Sequence, residues 1–156
     1  MRNLLITAAA VLAATTGLAL ANPKNSADEE AIRALPKRIE SGWSQGSGRM
    51  IGDVYATDGK LVAGDGTVTV GRDQIGAYHD QLFANYLKGT KLIVEVTDVR
   101  FLTPDIALMH TAGGILWPGE QKLRAGNDGI QSFVTVKQDG AWRVLLFQNT
   151  RVQPKR

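Results

Sequence analysis

The chain offers few groups that can move a proton. Its 156 residues include two histidines, His79 and His110, and no cysteine. Disulfide scaffolds, thiolate zinc sites, iron–sulfur clusters, cysteine nucleophiles and an all-histidine catalytic zinc are therefore excluded. His79 stands four residues from both Ile75 and Phe83, so on a helix it shares their apolar face. An imidazole there titrates near neutrality and suits a pocket base or hydrogen-bond donor. A core histidine bonded to a backbone carbonyl fits the same spacing. His110 lies in a β-prone run between Met109 and Thr111, where cross-strand packing competes with a site role. Asp98 interrupts a run of valine and isoleucine, with Arg100 two residues on and so on the same strand face. That arrangement suits a base in an apolar pocket or an ion pair on a solvated face. Near the end of the last apolar run, Gln148 and Asn149 replace aliphatics, which fits a cavity mouth or a subunit interface.

Other chemistries find no support. Asp53, Asp58 and Asp65 sit by glycines and turns, where side-chain-to-backbone bonds explain them. No two of His79, His110, Glu95 and Asp98 fall at a metal-motif spacing, and Ala63-Gly64-Asp65-Gly66 matches neither a P-loop nor a dinucleotide fingerprint. Ser47 and Ser132 lack a histidine–aspartate arrangement. The expectation is a site with no metal and no cofactor.

The elements that must position these residues begin after a leader. Arg2 opens residues 1–21, Leu4 to Leu20 carries no charge, and Ala19-Leu20-Ala21 supplies small residues for a signal peptidase. The expectation is a signal peptide cleaved after Ala21, a periplasmic or secreted product, and no membrane association after cleavage. Residue 22 is asparagine, so a lipoprotein is not indicated. Without Arg2, 17 of the 18 basic residues face 15 acidic ones. That scattered balance does not suggest nucleic acid. The tail with Arg151, Lys155 and Arg156 reads as a solvated end.

Residues 22–156 then read as a single domain. Ser26 as cap, with Glu29 three residues later, predicts a helix start. Ile32, Leu35, Ile39 and Trp43 form its buried stripe, kinked or split at Pro36. Met50 to Tyr55 reads as a short second helix. Lys60 to Ala63 and Thr67 to Val70 flank a glycine turn as a hairpin, and Arg72 to Asn85 is the third helix. Four strands follow: Lys91 to Leu102, Ile106 to Trp117, Gly129 to Gln138 and Ala141 to Arg151, connected as an antiparallel meander. Along the last, Trp142, Val144, Leu146, Gln148 and Thr150 share one face by simple alternation. Pro118 to Asp128 reads as an open loop whose Gly119 and Gly126 would let it close over a site. Helices, hairpin, helix and long strands together predict an α+β fold, with helices covering one sheet face and a cavity at its wide end.

Three segments give this order a likeness. Gly71-Arg72-Asp73-Gln74-Ile75 with His79 and Leu82-Phe83, then Val99 through Ala107 with His110, then Gly140 through Val144 with Phe147 through Arg151, resemble the SgcJ/EcaC family. That family lies in the nuclear transport factor 2-like superfamily, beside SnoaL-like cyclases and ketosteroid isomerases. The resemblance implies a cone-shaped α+β domain, a curved mixed or antiparallel sheet wrapped over about three N-terminal helices, and a homodimer. It also passes on the label oxidoreductase. Trp43, Tyr55, His79, Arg100, His110, Gln148 and Asn149 match positions that would face the pocket. Ser47 stands where the family pattern has an acid.

Three functions fit. In an enzyme acting on a small apolar or polyketide-like molecule, His79 transfers the proton, Trp43 and Tyr55 hold the substrate, and Gln148 or Asn149 steadies an oxyanion. In a binding module the same pocket captures a small apolar molecule unchanged. In a structural dimer it is filled by its own side chains.

Overall fold

The computed structural model describes residues 23–124, 126 and 128–153; the leader expected at 1–21 lies outside them. The helices α1 (Pro23–Arg33), α2 (Leu35–Ser44) and α3 (Gly48–Gly52) precede β1 (Tyr55–Val62) and β2 (Val68–Val70). Helix α4 (Arg72–Asn85) leads to β3 (Lys91–Thr103), β4 (Ile106–Leu116), β5 (Asp128–Gln138) and β6 (Ala141–Arg151). These strands form one sheet in the order β2-β1-β6-β5-β4-β3. β1 runs parallel to β6 and every other pairing is antiparallel, so the sheet is mixed and the meander is as expected.

Pro36 accounts for the break between α1 and α2. It lacks an N–H for the helical ladder, yet Ala34 and Arg38 keep their bonds to Glu30 and Ala34, so the chain is stepped and not severed. α1 starts at Pro23, upstream of the expected cap, which leaves Ser26 inside the helix. The stripe of Ile32, Leu35, Ile39 and Trp43 is buried against the sheet together with Ile51, Val54, Ile75, Met109, Phe133 and Val144. Polar clamps fix the layers. Asp28 Oδ1 accepts from Lys137 Nζ at 2.6 Å and from Trp142 Nε1 at 3.0 Å, holding α1 to β5 and β6. Glu40 Oε1 accepts from the Val94 amide at 2.8 Å, so α2 satisfies a donor on β3, the edge strand.

The short second helix ends sooner than expected. Residues 53 to 55 leave it because the Val54 carbonyl accepts from the Val144 amide at 3.0 Å, starting β1 beside β6 at Tyr55. Ser47 caps α3, its hydroxyl accepting from the Met50 amide at 3.3 Å. The position where the resembled family has an acid thus does structural work. Ser47→Ala should cost about 1 kcal/mol in urea unfolding, and Ser47→Asp should restore it, since either oxygen can cap.

Two register shifts decide which strand residues face the helices. Between Val96 and Asp98 the ladder with β4 slips by one residue, and β6 slips likewise between Val144 and Leu146 opposite Val134 and Thr135. Each extra residue reverses the alternation beyond it.

Candidate functional site

A cavity of about 340 Å³ lies between α2, α4 and the concave face of the sheet. Its walls are mainly apolar: Ile39 and Trp43 from α2, Leu82 from α4, Leu92 from β3, Ile115 from β4, and Phe133 and Phe147 from β5 and β6. Asp65, Asp128 and Arg151 also border it. Arg151, expected as part of a solvated tail, is therefore the last residue of the wall.

His79 is brought into this cavity as its helical spacing requires, and it is only 6% exposed. Its Nδ1 lies 2.8 Å from the Ile75 carbonyl oxygen. A carbonyl can only accept, so Nδ1 carries the proton and Nε2 holds a lone pair. No described residue bonds to Nε2. The rings of Trp43, Tyr78 and Phe83 surround the imidazole at centroid distances of 6.2, 5.5 and 6.3 Å. Burial among them depresses its pKa below the ordinary histidine value, against the opposing pull of the Ile75 bond and of Asp80. His79 is neutral at pH 7. Both readings of the residue at the sequence level are thus partly realised: it is buried and backbone-bonded, and it also faces a void.

Trp43 lines the cavity while its Nε1 donates to Thr90 Oγ1 at 3.0 Å, which fixes the ring. Tyr55 is fully buried and lines the cavity too. Burial drives its phenol far above the ordinary tyrosine value, so it stays protonated. Its hydroxyl has no protein partner among the described residues. Asn149 reaches the cavity from β6.

Arg100, His110 and Gln148 are not brought there. All three project from the outer face of the sheet. Arg100 and Gln148 are exposed, and His110 Nδ1 sits 3.9 Å from Asp98 Oδ2 on that face. The slip at Thr97 turns Asp98 and Arg100 outward while Val99 and Phe101 pack inward, and His110 pairs with Asp98. The slip at Leu145 moves the inward row of β6 from Trp142 and Val144 to Phe147, Asn149 and Arg151. Gln148 therefore does not continue the face of Trp142 and Val144, which corrects the simple alternation.

Two wall residues escaped the sequence reading. Gln131 and Thr111 are buried and joined, Thr111 Oγ1 donating to Gln131 Oε1 at 2.6 Å. Gln131 Nε2 donates to Asn149 Oδ1 at 3.1 Å. Their signal was period-two alternation in β5, where Gly129, Gln131, Phe133 and Thr135 share the inward row. Near the Gly64–Asp65 turn, Asp65 is held below the ordinary carboxylate value by the Thr67 amide, which donates to Oδ1 at 2.9 Å. Trp117 and Gly126 from the loop and Asp128 at the start of β5 border the cavity, and the Gly126 amide is tied to Asp128 Oδ1 at 3.0 Å.

No family model matches the chain, and no curated protein matches it. Solved structures do. A domain of unknown function with a cystatin-like fold from Nostoc punctiforme is 33% identical, covering 83% of this chain and 80% of its own, with a TM-score of 0.78. An uncharacterized protein with a cystatin-like fold from Caulobacter vibrioides is 25% identical over 81% of this chain and 90% of its own, with a TM-score of 0.66. A nuclear transport factor 2-like protein with a cystatin-like fold from Novosphingobium aromaticivorans shares 16% identity over 87% and 94% of the two chains, again at 0.66. That last likeness speaks to fold alone.

Proposed function

Because this chain belongs with the cystatin-like-fold domain it matches at 33% identity, and shares that fold with a nuclear transport factor 2-like protein, we propose that its cavity is a binding site for one small, mostly apolar molecule. One observation carries the reading: the cavity is walled by aliphatic and aromatic side chains, yet His79 Nε2, the Tyr55 hydroxyl and Asn149 Nδ2 have no partner among the described residues, and all three residues border it. Its volume of about 340 Å³ falls in the range of ligand pockets. These atoms face the void, where groups of a bound molecule can bond to them. His79 Nε2 accepts from a ligand hydroxyl, Tyr55 can donate or accept, and Trp43 supplies a flat contact.

The acid–base reading rests on the same lone pair. Burial weakens it as a base, and Asp65 and Asp128 each spend an oxygen on a backbone amide. Capture without conversion is the better-supported role. Kinship with the SgcJ/EcaC group, export through residues 1–21, and pairing of two copies belong to the same proposal. Ile93 and Ile130, 46% and 51% exposed on the outer sheet face, support the pairing. No described helix is long and apolar enough to cross a membrane.

Native mass spectrometry of the purified protein tests the capture. A bound small molecule is expected on the wild type and not on Leu82→Trp, whose indole fills the cavity. Affinity for added apolar fluorophores should fall at least about tenfold in that variant. Equal binding by wild type and variant would sink the assignment.

A further inference from the structure

The cavity wall contains one chain of hydrogen bonds with a fixed direction. Gln131 Nε2 faces the Gly113 carbonyl oxygen at 3.4 Å as well as Asn149 Oδ1 at 3.1 Å. A backbone carbonyl only accepts, so the amide nitrogen of Gln131 must lie on that side and its oxygen toward Thr111. Thr111 donates to that oxygen at 2.6 Å, and both residues are buried. Asn149 accordingly uses its oxygen on Gln131, and its Nδ2 becomes the free end of the relay. No described residue accepts from Nδ2.

Two glycines keep that end open. A Cβ at Gly64 would come within 2.9 Å of Asn149 Nδ2, and one at Gly129 within 2.5 Å of Asn149 Oδ1. Both glycines line the cavity. The charges bordering it are Asp65, Asp128 and Arg151, one cation against two anions, so a carboxylate gains little there.

Resting on the reading of the cavity as a ligand site, we infer that Asn149 selects a neutral carbonyl oxygen, with Gln131 and Thr111 as the positioning residues that keep its N–H turned toward the ligand. The class this fits is an apolar ketone, ester or amide. At Asn149 itself, a ligand group that can only donate would meet a donor.

The test uses methyl naphthyl ketone, isotope-labelled at its carbonyl, and isopropenylnaphthalene as the hydrocarbon of the same shape. Binding is followed through the fluorescence of Trp43 and Trp117, which line the cavity, and the carbonyl stretch by infrared difference spectroscopy. Asn149→Leu should weaken the ketone about fivefold, the worth of one hydrogen bond, while hydrocarbon affinity holds. The bound carbonyl band should lie at lower frequency in the wild type than in Asn149→Leu. Thr111→Val, close in shape, should shift the band the same way by less; it also serves if Asn149→Leu does not fold. An unchanged band across the three proteins overturns the relay while leaving a binding cavity intact. Tighter binding of naphthoate than of the ketone overturns the neutral class. Failure of both naphthalene probes to bind the wild type overturns the ligand site itself.

Discussion

Gly48→Ala should lower stability by about 3 kcal/mol and the melting temperature by roughly 10 °C. Gly48 begins α3 where it crosses α4, and the two helices touch backbone to backbone. A Cβ on Gly48 would overlap the Gly76 carbonyl oxygen and come within 2.6 Å of Asp80 Oδ1. That carboxylate already accepts from the Gly48 amide at 2.7 Å. The methyl group therefore both overpacks a rigid crossing and breaks a charge-assisted hydrogen bond, two costs of about 1–3 kcal/mol each that overlap in one displacement. α4 carries His79, so the displacement also reaches the cavity. Gly46→Ala is the control. Its φ of +61° strains an alanine, but nothing lies within 4 Å, so about 1 kcal/mol is expected. Urea unfolding of the two variants separates crowding from backbone strain. Equal midpoints would mean that the helices can slide apart freely.

That crossing was invisible in the sequence, where nothing near Gly48 names the helix it will touch. The legible features were those with a local cause. α4 spans Arg72–Asn85, as its apolar spacing required, and all four long strands end within one or two residues of their turn signals. The burial of Ile32, Leu35, Ile39 and Trp43 follows from period alone. His79 and Trp43 reach the cavity because a helix face set their direction; Tyr55 lines it from the start of β1, and Asn149 does so only because the slip at Leu145 turns it inward. Arg100, His110 and Gln148 were lost for one physical reason. A slip of the ladder depends on how neighbouring strands pair, and no residue type near Thr97 or Leu145 announces it. The Thr111–Gln131–Asn149 relay spans three strands and is equally non-local.

Acid should expose the imidazole's role in stability. His79 folds into a site that disfavours its charged form, so its folded pKa lies below the ordinary value of 6.5. The unfolded chain then binds a proton that the folded chain declines. Stability from neutral burial is complete above pH 6.5 and is lost as pH falls toward the folded pKa, below which both states are protonated and the loss stops. Within that window each pH unit should remove about 1.4 kcal/mol. His79→Gln keeps an amide donor for the Ile75 carbonyl but cannot titrate, so its urea midpoint should stay flat over the same range. Asp65 acts in a separate window. Its depressed pKa contributes stability above its ordinary 3.8 and loses it below, so the wild type minus His79→Gln difference isolates the histidine. Parallel curves for the two proteins as pH falls below 6.5 would mean that the folded site accommodates imidazolium. Protonation there also turns Nε2 from acceptor to donor, so a ligand hydroxyl bonded to it under the proposed function should be released in the same interval that loosens the fold.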